Sequence, residues 1–218
     1  MAFPYRRGRV VVFYASAINQ RGFAGDAIRR LIASATKRSS PVRAAINSLS
    51  LQADDAVVEL GCGPDKAIAL LASRAPHGVV YGVDLCPRRL EHTLRYNRSG
   101  VQQGVIRLYR ASFERLPFAT GSIDKIISVD GIYSWEDPVA VAVEMRRVLR
   151  RDGRLAIYAP ETAWDRQWHF AGSDALRMSS ALELTRFLQL GGFDPDRILV
   201  QAVDRRGGYE GLLATISP

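Results

Sequence analysis

Residues 57–66 read Val57-Val58-Glu59-Leu60-Gly61-Cys62-Gly63-Pro64-Asp65-Lys66, an apolar, β-branched run that ends in a glycine-cysteine-glycine turn. Such a run suits a strand buried on both faces. The glycines let the chain turn sharply and bring its backbone close to a ligand, while the next helix presents unpaired N–H groups. That is the rhythm of a nucleotide-binding turn, with one departure: Asp65 stands where a third glycine is expected. Two glycines alone equally fit an ordinary strand-to-helix turn, so the surrounding pattern has to decide.

Further apolar runs lie at residues 79–83, 105–109, 125–129 and 154–158. Helical patterns separate them. Residues 65–73 carry Ala67, Leu70 and Leu71 at helical spacing, residues 87–96 open on a proline suited to a first turn, and residues 137–149 place Val141, Met145, Val148 and Leu149 on one face. Arg151-Asp152-Gly153 is expected to form a turn before the next strand. This alternation predicts an α/β, Rossmann-like, mostly parallel sheet with helices on both faces. Residues 179–190 read as a helix closed by Gly191-Gly192. Residues 197–203 and 209–216 then read as a hairpin across Arg205-Arg206-Gly207-Gly208, so the last strand should run antiparallel. Residues 25–36 and 41–49 predict two short helices ahead of the first strand. Residues 1–50 are therefore read as an N-terminal arm and helical cap, and residues 51–218 as the main domain.

The chain has 218 residues, 47% hydrophobic and 24% charged, which fits one well-packed domain with an appendage and argues against disorder. No run reaches the roughly 18 apolar residues of a membrane helix, and the N-terminus lacks a secretory leader pattern, so the expected compartment is the cytoplasm. Cys62 and Cys86 cannot build a disulfide framework and sit in no metal-type spacing. His77, His92 and His169 are widely separated, so no metal site is expected. The net charge of +8 rests on 30 basic residues, and only Lys37, Lys66 and Lys125 are lysines. Arginine pairs are scattered along the chain and form no single phosphate track, so nucleic acid is not the expected partner.

Asp84 closes the second apolar run, where a carboxylate can accept both hydroxyls of a ribose. It would otherwise cap the helix that begins near Pro87. With these residues in place, "VVELGCGP", "VYGVDL", "ASFERLPFATGSIDKIISVDGIYSWEDP", "EMRRVLRRDGRLAIY" and "LQLGGF" resemble the successive motifs of class I S-adenosylmethionine-dependent methyltransferases, of the small-molecule, ubiquinone-type kind. The resemblance runs from about Leu51 to the C-terminus. It implies a seven-stranded sheet with an antiparallel last strand, and S-adenosyl-L-methionine as cofactor. It places Glu59 below the turn as an orienting carboxylate, and Gly61, Cys62 and Gly63 against the methionine part of the cofactor. Asp84 would hold the ribose and Leu85 would lie beside the adenine. Ser112 and Phe113 fall at the adenine edge, where the family often carries an acid that is missing here. Val129 and Asp130 would end the fourth strand near the reacting centre, with Tyr133 and Trp135 behind them. Tyr14, in "VVFYASAINQ", could fold over the cofactor carboxylate.

Methyl transfer from a sulfonium is an in-line displacement, so a protein mainly aligns the acceptor and excludes water. If the acceptor atom is a hydroxyl or carboxyl oxygen, His169, Asp130, Tyr133 and Tyr14 are the candidate bases or hydrogen-bond acceptors. Trp164, Trp168 and Phe170 surround His169 in sequence and suit an apolar or aromatic small-molecule acceptor. Two other readings stay open. An RNA-directed enzyme is weakened by Val129-Asp130-Gly131-Ile132-Tyr133, which stands where base-modifying relatives carry an N-P-P-Y-like segment. A methyltransferase-like fold without methyl transfer is motivated by Asp65, whose charge could repel the cofactor carboxylate unless Lys66 offsets it.

Overall fold

The computed structural model describes residues 40–63, 67–160, 167–168, 176–177, 180–204 and 210–217. Their centre is a seven-stranded sheet: β1 (Ala56–Leu60), β2 (Val79–Asp84), β3 (Ile106–Arg110), β4 (Ile123–Val129), β5 (Leu149–Pro160), β8 (Ile198–Asp204) and β9 (Glu210–Ile216). The strand order is β3-β2-β1-β4-β5-β9-β8. Strands β1 to β5 pair in parallel. β9 inserts antiparallel between β5 and β8, as the hairpin pattern implies. Two short strands, β6 (Gln167–Trp168) and β7 (Leu176–Arg177), pair antiparallel outside this sheet.

The helices are α1 (Pro41–Ser48), α2 (Ala67–Arg74), α3 (Pro87–Tyr96), α4 (Arg98–Gln102), α5 (Pro138–Val148) and α6 (Ala181–Leu190). Consecutive strand residues point to opposite faces, and here both faces are covered. Val58, Ile126 and Ile157 pack with Val141, Met145, Leu184 and Phe187 of α5 and α6. Val57, Ile127 and Ala156 pack on the other side with Ala45 and Ile46 of α1 and Ile68 and Leu71 of α2. This explains why the strands read as unbroken apolar runs. The described part of the segment before β1 is thus a buried layer: Ala45, Ile46 and Leu49 are at most 1% exposed. Residues 25–36 lie outside the described residues.

One local expectation is corrected. Arg151-Asp152-Gly153 does not separate α5 from a strand that starts at residue 154; β5 already begins at Leu149. Leu149 pairs with Ile123 and Arg154 with Lys125, so residues 150–153 bulge opposite Asp124 alone. Burial of Leu149 against the core holds the strand's first residue in place, and the intervening polar residues are extruded. Arg150 pairs with Asp124, whose other oxygen accepts the Ala56 N–H at 2.9 Å.

The connection from β3 to β4 is tied to α5 by a partly buried ion pair. The Glu144 carboxylate accepts from Arg147 Nε and Nη2, both at 2.7 Å, and from the Leu116 N–H at 2.7 Å. Arg147 Nη2 also donates to the Phe118 carbonyl at 2.9 Å. Glu144→Ala should lower stability by about 2 kcal/mol, because the buried Leu116 N–H loses its acceptor and Arg147 its counter-charge. A reduced urea midpoint would register this. The Arg147 hydrogen bonds hold the Glu144 carboxyl below its ordinary value of 4.5. The contribution is therefore full at neutral pH and is lost as pH falls through that depressed value. The difference between wild type and Glu144→Ala should shrink on the same acid limb.

Candidate cofactor site

The chain passes from β1 outward to β2 and β3, then crosses back to β4 on the other side of β1. The carboxyl ends of β1 and β4 therefore flank a topological switch point, where open α/β sheets form a crevice. The glycine turn lies there. Gly61 N–H donates to the Val83 carbonyl at 2.9 Å, and Cys62 N–H reaches the same oxygen at 3.4 Å. These bonds fold the end of β1 over the end of β2 and bring the turn beside Asp84. Gly61 has φ +84°, a left-handed conformation that side-chain-bearing residues rarely adopt. Thr93 in α3 fastens the turn from the other side, its Oγ1 donating to the Gly63 carbonyl at 3.2 Å.

On the β4 side, Asp130 adopts φ +57°, uncommon for a residue with a side chain. Gly131 follows because the space is filled: a Cβ there would lie 2.6 Å from Ser128 Oγ and 3.1 Å from the Leu60 carbonyl oxygen. Ser128 Oγ donates to that carbonyl at 3.1 Å, clamping β4 to the end of β1. Backbone held in a sparsely populated region at a crevice is a frequent mark of a functional site.

Asp84 is 1% exposed. Its Oδ1 accepts the Cys86 N–H at 2.7 Å, and Arg89 Nε lies 3.4 Å from Oδ2. Oδ2 accepts no hydrogen bond among the described residues. Burial pushes the Asp84 carboxyl up, against the opposing pull of the Cys86 N–H and the Arg89 guanidinium. A buried carboxylate oxygen without a hydrogen-bond donor, next to a turn shaped by glycine, fits a ligand that brings hydroxyl donors. Burial and the nearby Glu59 and Asp84 charges push the Cys62 thiol up to about 12, so it stays neutral. Cys86, at the start of α3, moves the other way because the Arg89 N–H stabilises its thiolate.

The other residues read from the sequence fall as follows. Glu59 is buried beneath the turn, 1% exposed. Leu85 is half exposed beside Asp84, and Val129 is buried at the end of β4. Ser112 Oγ bonds Glu114, so an acid does stand next to this position, two residues later than the resemblance would have it. Phe113 is buried in the core cluster that also holds Val83 and Leu60. Trp135 is a core residue as well, its ring 5.8 Å from that of Phe187. Tyr14, Asp65, His169 and the Tyr133 side chain lie outside the described residues, as do Trp164 and Phe170. Sequence reasoning missed Thr93, Arg89 and Ser128. Thr93 could have been noticed, since it shares a helix face with Leu90; Ser128 and Arg89 carry no local signal. No cluster that could hold a metal ion occurs among the described residues.

The fold and its crevice define a Rossmann-like α/β protein with a nucleotide-type turn. Residues 58–157 match the family described as a methyltransferase domain, and the resemblance to S-adenosylmethionine-dependent methyltransferases is borne out. Among curated relatives, a malonyl-acyl-carrier-protein O-methyltransferase of Laribacter hongkongensis is 34% identical over 54% of this chain and 42% of its own length. A ubiquinone/menaquinone biosynthesis C-methyltransferase of Citrifermentans bemidjiense is 29% identical over 53% of this chain and 49% of its own. The chain thus spans under half the length of either relative. In fold it is similar to a SAM-dependent methyltransferase from Aquifex aeolicus, with a TM-score of 0.62 at 17% identity over 88% of this chain and 97% of that one.

Two outcomes follow from the local chemistry. Iodoacetamide at mildly alkaline pH should modify Cys86 and spare Cys62, as read by peptide mass mapping. Arg89→Gln should raise the Asp84 pKa further, because one of the three groups favouring its ionised form, beside the Cys86 and Leu85 N–H groups, is removed. In a ¹³C carboxyl titration the ionised fraction of Asp84 should then fall away at a higher pH than in wild type.

Proposed function

We propose that this protein is an S-adenosylmethionine-dependent methyltransferase acting on a small molecule. One observation supports this most directly: the Gly61 and Cys62 amides fold the glycine turn onto the Val83 carbonyl, next to a buried Asp84 oxygen that accepts no hydrogen bond among the described residues. When bound, the cofactor supplies an electrophilic methyl group on a sulfonium centre. In this reading the Asp84 carboxylate accepts the ribose hydroxyls, and the backbone of Gly61, Cys62 and Gly63 lies against the methionine portion. Glu59 orients the turn from below. Leu85, Ser112 and Phe113 line the adenine side, Val129 closes the β4 side, and Tyr14 covers the carboxylate end.

The chain's task toward the acceptor is alignment and exclusion of water. Asp130, Tyr133 and His169 are the groups proposed to accept a proton or a hydrogen bond from it. Asp130 is the one of these whose side chain is described, and its left-handed backbone lies at the crevice between β1 and β4. Residues 1–50 and the segment around Trp164, Trp168 and Phe170 are proposed to shape an apolar or aromatic acceptor pocket. A cytoplasmic setting belongs to the same proposal, in keeping with two free cysteines.

Calorimetric titration with S-adenosylmethionine should give saturable one-site binding. Asp84→Asn should weaken it by roughly tenfold or more while the thermal midpoint of the ligand-free protein holds, since the amide loses the charge that favours two hydroxyl donors. Absence of both heat and thermal shift at millimolar ligand would sink the proposal. Asp65→Gly should change the affinity by less than about tenfold; a larger gain would mark the turn as partly disabled. Labelled cofactor with a panel of phenols, carboxylic acids and amines then identifies the acceptor class.

A further inference from the structure

A second concave region lies at the opposite end of the sheet, where β5 begins and β9 ends. It is a depression of about 520 Å³ lined by Arg146, Arg150, Arg151 and Arg197 over Leu149, Phe193 and Ile216. The three apolar residues are buried and form its floor. The arginines come from three places in the chain: the last turn of α5, the β5 bulge, and the 3-10 turn Pro195–Arg197 that precedes β8. The bulge is what turns Arg150 and Arg151 outward, since residues 150–153 have only Asp124 opposite them.

What holds these guanidinium groups is informative. Arg197 Nε donates to the Ser217 carbonyl at 2.6 Å and its Nη2 to the Arg151 carbonyl at 3.1 Å. Arg146 Nε donates to the Gly192 carbonyl at 3.4 Å. Carbonyl groups direct a guanidinium without neutralising it, and each of these keeps further N–H donors. Arg150 pairs with Asp124. Among the described lining residues Asp194 is the only carboxylate, and its Oδ1 accepts the Asp196 N–H at 3.0 Å. The depression therefore carries a positive excess, and the Arg146, Arg150 and Arg197 side chains in it are already oriented.

We propose that this depression is a binding site for a phosphate-bearing small molecule, separate from the cofactor crevice. The guanidinium fork matches phosphate oxygens, and oriented forks lose little freedom on binding. The volume falls in the range of small-ligand sites, and the apolar floor accommodates the body to which the phosphate is attached. A nucleic acid is the less favoured occupant, because the arginines ring one hollow and do not continue as a track along the surface.

The test is a titration of the ¹⁵N-labelled full chain with sodium pyrophosphate at about 0.15 M salt, following the arginine Nε–Hε resonances. The expected result is saturable one-to-one binding that shifts the Arg146 and Arg197 signals. Arg151→Glu should weaken it by roughly tenfold or more, whereas Arg95→Glu, on α3, should leave it unchanged. Circular dichroism checks that both variants fold; Arg151 bonds its neighbours through its backbone carbonyl, which the substitution keeps. Non-saturating shifts, or equal loss in both variants, would overturn the site. A single-stranded oligonucleotide that binds with a steep salt dependence while pyrophosphate does not saturate would overturn it in favour of nucleic acid. None of these readouts involves S-adenosylmethionine, so this proposal and that of the methyltransferase activity can fail separately.

Discussion

Two amide hydrogens, those of Gly61 and Cys62, converge on one carbonyl, that of Val83. The rest of the site depends on this convergence. It requires the left-handed φ of Gly61, it draws the end of β1 against the end of β2, and it sets the turn beside Asp84. Thr93 and Ser128 hold the same corner from α3 and β4. The turn is thus fastened from three elements that meet only after the sheet is assembled. Pre-organisation of this kind lets backbone N–H and carboxylate groups meet a ligand without first paying to order themselves.

The sheet that supports the turn is built from strands buried on both faces, with successive residues in opposite core clusters. Central burial leaves chemistry to the strand ends. At the carboxyl end the chain places an acid, glycines and a strained Asp130; at the amino end it places arginines on a bulge. The two ends differ because parallel strands expose like ends together, and each end gathers whatever side chains the connecting segments carry.

The strand and helix order was legible from residue pattern because both-face burial writes itself as apolar runs, and crossover helices as 3.6-residue periodicity. Gly61, Gly63 and Asp84 were legible for a related reason: a sharp turn needs glycine, and an acid that closes an apolar run stands out at the end of the next strand. The bulge at residues 150–153 was not. Its turn-like composition concealed a strand already begun at Leu149, and only pairing with Ile123 reveals this. The short helix Arg98–Gln102 and the core burial of Trp135 were likewise decided by packing.

The amino-acid sequence by itself determined the α/β class, the position of the glycine turn and the identity of its carboxylate, since each is a local demand on residue type. Tertiary structure alone decided that Arg89 stands over Asp84, that Thr93 ties down Gly63, and that four scattered arginines share one hollow. The physical reason is that a charge or hydroxyl acts over a few ångströms in space. Distance along the chain carries no information about which groups will meet.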